Sequence, residues 1–294
     1  MQNFDVTGID SGQDAQPPAD VPPMDRRIAD VRNFADGLYP SDVVCFNHAQ
    51  NVYIGGPAFG PDIATHREMA RQLSLSMVYW LQNEAPRLDG GQGYPDVRLR
   101  PDVVGTEDGL AMAPYIRESR RIRAELTVRE QDITGEECDR QGSARRFDDS
   151  VGIMHYFIDM WPSTEGKQPF LLPVYPAQIP MGSLIPVHVR NLLPACKNAG
   201  LTQITASAYR MHPGEWAIGE GAGALAAYCI EHDVEPQQVR GDASQLARFQ
   251  SLLERMGIAT RWPGTGPLRT WESMVTAWRQ FGRMDRSVLL SFPH

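Results

Sequence analysis

Side chains that can move a proton or carry a charge lie together just before a glycine-rich segment. Tyr209, Arg210 and His212 stand within four consecutive positions. His212 can exchange a proton near neutral pH, and Arg210 can pair with a substrate carboxylate or a reduced cofactor. We take these three as the candidate catalytic residues. The sequence fits a structural role about as well as a catalytic one. In that alternative, His212 is bonded to backbone and Arg210 forms an ion pair.

The segment that follows, residues 214–232, is predicted to be a helix with one face of small residues. Its small residues recur at i, i+3, i+4 and i+7, and glycine costs roughly 1 kcal/mol against alanine within a helix. Small side chains let a backbone or a flat ligand approach closely, and the helix N-terminus offers free N–H groups and partial positive charge. The candidate cofactor-binding residues are Pro213, Gly214, Gly219, Glu220, Gly221, Ala222 and Gly223. Tight helix–sheet packing without a ligand is the alternative.

Other polar patterns are weaker. Residues 117–121 (RESRR) alternate in charge between apolar neighbours, which favours a buried ionic network over direct substrate contact or a solvated face. His155 and Asp159 near a predicted strand end are minor catalytic candidates. The sequence holds no G-x-S-x-G, which argues against a serine hydrolase, and its histidine and cysteine spacing predicts no metal site.

Composition limits the partners. The chain has 294 residues, 42% of them hydrophobic, and a net charge of −8. This charge argues against nucleic acid or an anionic membrane as a partner. The four cysteines are far apart, so reduced thiols and a cytoplasmic location are expected, and no apolar run approaches the ~20 residues of a membrane span. A small-molecule substrate remains the expected partner.

The chain pattern predicts a mixed α/β (α+β) fold rich in antiparallel strands. Helices are predicted at 63–83, 214–232, 243–256 and 270–284. Short strands are predicted at 42–46 and 51–54, around Val128 and Ile133, and at 151–153, 156–158 and 191–195. Five prolines favour extended strands and turns over residues 169–190. We divide the chain into an extended arm (1–25), two central regions (26–180 and 181–262) and a helical tail (263–294).

Several motifs in order carry a family resemblance. The runs NLLPACKN (191–198), YRMHP (209–213) and WAIGEGAGALAA (216–227) resemble the C-terminal signature of a bacterial family of FAD-dependent oxidoreductases in the glutathione-reductase-like flavoprotein superfamily. The runs RPD (100–102), PYIRESRRI (114–122) and YFID (156–159) resemble the same family. The likeness covers roughly residues 1–262. It implies that residues 26–180 form the substrate region with interdomain elements and that residues 181–262 form the C-terminal portion of an FAD domain.

The resemblance implies that the helix N-terminus, at about residues 213–219, faces the N1/C2-carbonyl edge of the FAD isoalloxazine, where charge develops on reduction. It implies hydride transfer from a small organic substrate to FAD.

Two positions depart from the family, because Trp161 and Gln203 stand where histidine is common. The sequence also lacks the strand and G-x-G-x-x-G that cradle the pyrophosphate. We therefore expect this fold to be incomplete. The chain alone is then expected to be inactive and to need an N-terminal nucleotide-binding half, or a homo-oligomer, to hold FAD.

The alternative hypothesis is a non-catalytic fragment or partner subunit that folds but does not bind flavin alone. A third interpretation, a recognition module for carbohydrate or another ligand, rests only on the aromatic residues.

Overall fold

The computed structural model describes residues 28–29, 41, 43–44, 51–57, 59–87, 89–162 and 170–262. These residues fall into two compact units, one containing the described residues up to Ile116 together with Pro162, and the other containing 117–161 and 170–262. The predicted arm and the predicted helix at 270–284 lie outside the described residues. The boundaries predicted at residues 25, 180 and 262 stay predictions.

The first unit is built around one long helix. A short strand β1 (Ile28–Ala29) pairs antiparallel with β2 (Val43–Val44), and α1 (Ile63–Asn83) and α2 (Pro101–Val104) follow. The predicted bounds of α1 are confirmed. Thr65 and Glu68 have the sequence spacing of a capping box, but both residues lie inside a helix that begins after Asp62.

Two further predictions for the first unit need correction. The strand predicted at 51–54 does not form, since Asn51 lies in a 3-10 turn and the following residues are irregular. The sequence pattern predicts an apolar stripe on α1 formed by Met69, Leu73, Met77 and Trp80/Leu81. Of these, Leu81 is buried and Met69 is exposed, and Ala70 and Ser74 are also on the buried side.

The second unit combines two antiparallel strand pairs with five helices. Its strands are β3 (Ser150–Met154), β4 (Ile158–Met160), β5 (Phe170–Leu172) and β6 (Ala177–Pro180). β3 pairs with β6, and β4 pairs with β5. Its helices are α3 (Glu136–Gln141), α4 (Gln203–Tyr209), α5 (His212–His232), α6 (Pro236–Gly241) and α7 (Ala243–Arg255). The described residues therefore form a mixed α/β structure with antiparallel sheets, as predicted.

The core of the second unit lies where α5 and α7 pack beside β3. Val151 of β3, Ile218 and Leu225 of α5, and Phe249 of α7 are fully buried in one cluster. Burial of such side chains contributes about 1.5–3 kcal/mol each. This packing fixes the direction of α5. The strand predicted at 191–195 is wrong, because these residues are irregular.

Within the described ranges, none of the helices combines the length and the apolar composition that a membrane span requires. The same ranges contain no cluster of three or more His, Cys, Asp or Glu side chains placed to bind a metal ion.

Candidate functional site

The first turn of α5 presents unused hydrogen-bond donors. Met211 is extended (φ −73°, ψ 147°), so the chain turns sharply between α4 and α5. The Glu215 N–H donates to the Met211 carbonyl at 2.9 Å. The N–H groups of His212 and Gly214 have no acceptor among the described residues. His212 and Pro213 are exposed. The positive end of the helix dipole therefore points away from the packed core.

Two glycines of α5 are required by packing. A Cβ on Gly214 would lie 2.9 Å from the Tyr209 carbonyl oxygen, and one on Gly221 would lie 3.0 Å from Cγ2 of Val151. No ordinary side chain fits at such distances. The predicted alternative, close packing of the helix against a strand, thus describes Gly214 and Gly221.

The remaining candidate cofactor-binding residues lie further along α5, after its exposed first turn. Gly219 is close to the loop before α4, because its Cβ would be 3.2 Å from the Ala195 carbonyl oxygen. Ala222 is buried, whereas Glu220 and Gly223 are exposed. Since all four lie at least one turn into the helix, their N–H groups bond within it. Their roles as cofactor contacts stay predictions.

Arg210 is the centre of a buried ionic network. It is 3% exposed, and its Nε lies 2.9 Å from Oε1 of Glu118. Its Nη2 lies 3.2 Å from both Oδ2 and the carbonyl oxygen of Asp159. Burial raises the pKa of Glu118, and this outweighs the opposite effect of Arg210. The arginine predicted to serve catalysis therefore makes the ion pair that was its alternative.

Asp159 is held from several sides. Its N–H donates to Oγ of Ser207 at 3.0 Å, and Nε1 of Trp161 donates to its Oδ2 at 3.2 Å. The Arg117 guanidinium lies 4.2 Å from the centre of the Trp161 ring, which is a cation–π distance. Trp161, at a position where family members commonly carry histidine, thus supports the network. This agrees with the buried network predicted for residues 117–121.

Tyr209 has a core position. Its side chain is 1% exposed, its hydroxyl donates to the Gln178 carbonyl at 2.8 Å, and burial raises its pKa. The minor candidate His155 is partly buried, which lowers its pKa. The structure therefore brings Arg210, Glu118 and Asp159 together, but it directs the Tyr209 hydroxyl into the core.

The sequence did not reveal the partners of Arg210. Glu118 stands 92 positions away, and no local pattern links the two residues. The only signal was indirect, because alternating charges between apolar residues suggested burial.

A comparison with protein families decides the assignment. The model of the FAD dependent oxidoreductase family matches residues 7–253. The chain belongs to this family. No curated protein matches it, and no solved structure matches it either. As a member of an FAD dependent family, this oxidoreductase has FAD as its cofactor.

The first turn of α5 fits one edge of that cofactor. The two N–H groups without acceptors, on His212 and Gly214, can donate to carbonyl oxygen and ring nitrogen, and the helix dipole favours negative charge there. Pro213 is exposed beside them and leaves this edge open. Gly221 and Ala222 are buried and do not offer such a surface.

Proposed function

We propose that this FAD dependent oxidoreductase transfers a hydride from a small organic substrate to FAD, with the first turn of α5 facing the N1/C2 edge of the isoalloxazine. When bound, FAD supplies the hydride acceptor. The observation that supports this placement is that the first turn of α5 holds two N–H groups without acceptors in the described ranges, one on the exposed His212 and one on the buried Gly214.

The residues of this region have separate roles in the proposal. The helix end stabilises the negative charge that develops at the flavin edge. His212 is exposed next to this end and moves the proton of the substrate group that is oxidised. Arg210 is a positioning residue, because its buried contacts with Glu118 and Asp159 fix the chain between α4 and α5.

We also propose that the pyrophosphate and adenine parts of FAD are held by a nucleotide-binding half outside this sequence. The printed sequence contains no G-x-G-x-x-G, the loop whose N–H groups usually cradle a dinucleotide pyrophosphate. A separate polypeptide or a further part of a longer protein can supply it.

The test is titration of the chain, combined with the proposed nucleotide-binding half, with oxidised FAD and with chemically reduced FAD. We expect tighter binding of reduced FAD. His212→Asp should remove this preference, because it places a negative charge at the flavin edge while stabilising the helix end. The matched control Ser251→Asp adds the same charge at an exposed position on α7 and should leave the preference unchanged. An unaltered preference in His212→Asp contradicts the placement of the flavin.

One observation favours a second candidate, a non-catalytic partner subunit. Packing alone requires Gly214 and Gly221, and Tyr209 and Arg210 are both buried, so these four residues need no ligand. Under this proposal the chain adds nothing to the binding of either oxidation state of FAD, even when the nucleotide-binding half is supplied. That result would overturn the first proposal.

A further inference from the structure

The first unit contains a cavity of about 550 Å³ that shares no residue with the predicted flavin site. Its walls are largely apolar, with Met77, Val78 and Leu81 from α1 and with Leu99 and Leu110 from the segment around α2. The volume lies within the range of small-molecule sites, about 300–1,000 Å³. The cavity can therefore take an apolar body such as a fused aromatic ring.

A buried amide lines this cavity and lacks an acceptor. Asn51 and Ser74 are each 5% exposed, and the Ser74 hydroxyl donates to Oδ1 of Asn51 at 2.7 Å. Oδ1 is thereby satisfied, but Nδ2 has no acceptor among the residues that the structure describes. A buried donor left unpaired costs about 1–3 kcal/mol, and such groups are rare in folded proteins. Nδ2 of Asn51 thus indicates a ligand oxygen.

The charges around the cavity favour an anion. Three arginines line it, and Arg87 and Arg100 each pair with a nearby aspartate. Arg98 is exposed and has no carboxylate within ion-pair distance in the described ranges. Asp96 also lines the cavity and is exposed like Arg98, so water screens both charges, and the preference for an anion depends on the N–H donors. Arg98 and Asn51 both donate hydrogen bonds, and a carboxylate accepts from each.

We propose that the cavity of the first unit binds a small apolar carboxylate, with a carboxylate oxygen accepting from Nδ2 of Asn51 and with Arg98 supplying the favourable charge. This is a ligand site in addition to the proposed flavin site. It does not depend on how FAD is held.

The test is calorimetric titration of the protein with 2-naphthoate and, as the charge-reversed probe, with 2-naphthylmethylammonium. We expect naphthoate to bind and the ammonium not to bind. Asn51→Asp retains an acceptor for Ser74 but removes the N–H donors, so naphthoate affinity should fall at least about tenfold, the equivalent of 1.4 kcal/mol. Arg98→Gln should weaken binding by up to about fivefold, as for exposed ion pairs.

Two variants keep the test decisive. Arg67→Gln removes an exposed arginine of α1 that does not line the cavity, and it should bind naphthoate like the unaltered protein. Val78→Phe fills part of the cavity and should abolish binding even if Asn51→Asp fails to fold. Failure of naphthoate to bind, or unchanged affinity in Val78→Phe, overturns the proposal. Neither result bears on FAD binding, so the two proposals are tested separately.

Discussion

The two sides of α5 differ in what their glycines do. On the packed side, Gly214 and Gly221 approach other backbone so closely that a Cβ would collide with it. On the open side, Trp216 is 72% exposed, and a Cβ on Gly223 would meet nothing within 4 Å among the described residues. A glycine-rich helix therefore contains glycines that packing explains and others that it does not. Only the open side and the first turn are free to contact a ligand or another chain.

The largest effect is expected from the ionic network that anchors the packed side. Arg210→Met leaves the buried Glu118 without its partner, and loss of one member of a buried pair typically costs about 3–5 kcal/mol. The free energy of unfolding from urea denaturation measures this loss. The matched control Arg190→Met breaks the exposed pair with Glu235 and should cost at most about 1 kcal/mol. Equal losses in the two variants contradict a buried network.

A smaller loss is expected when the packed side is filled. In Gly221→Val the new Cβ would lie 3.0 Å from Cγ2 and 3.1 Å from the carbonyl oxygen of Val151. Overpacking of this kind costs about 1–3 kcal/mol. A lowered melting temperature in a thermal scan checks this prediction, and an unchanged melting temperature shows that α5 does not pack closely on β3.

The open side should respond in the opposite direction. Gly223→Ala has room for its methyl group and gains helix propensity, so it should stabilise the chain by about 1 kcal/mol. The same urea experiment measures the gain. A loss of stability instead indicates that another part of the protein covers this side of α5.

The smallest expected effect is on the pH dependence of the free energy of unfolding. Burial raises the pKa of Glu118 above its ordinary value of 4.5, so the folded chain holds this proton where the unfolded chain releases it. The stabilisation of the folded chain by protonated Glu118 is fully present below pH 4.5, the ordinary pKa. This stabilisation is lost as the pH rises through the pKa of Glu118 in the folded chain. Glu118→Gln lacks this dependence and should gain stability relative to the unaltered protein as the pH rises through that window. A relative gain as the pH falls would contradict the direction of the shift.

Periodicity predicted the long helices well, but not which of their sides are buried. The predicted bounds of α5 and α7 agree with the structure within two residues. The small-residue face of α5 was predicted from the i, i+3, i+4, i+7 spacing of Gly219, Ala222, Gly223 and Ala226. Ala222 is buried and Gly219 lies close to the Ala195 carbonyl, but Gly223 is exposed. Glycine and alanine occur around the whole helix, so only β3 decides which side is buried.

Interactions between distant parts of the chain were not predictable. The pairing of Arg210 with Glu118 and the placement of Asn51 beside the cavity depend on tertiary packing, to which local sequence gives no guide. The start of α5 was predicted at residue 214, two residues after its actual start at His212.

The most direct test of the flavin placement follows individual backbone amides. The chemical shifts of the His212 and Gly214 N–H groups are measured by NMR as reduced FAD is added to the isotope-labelled chain combined with the nucleotide-binding half. We predict that these two amide signals move most and that the Gly223 signal stays in place. FAD binding that leaves the His212 and Gly214 signals unchanged would contradict the placement of the flavin at the start of α5.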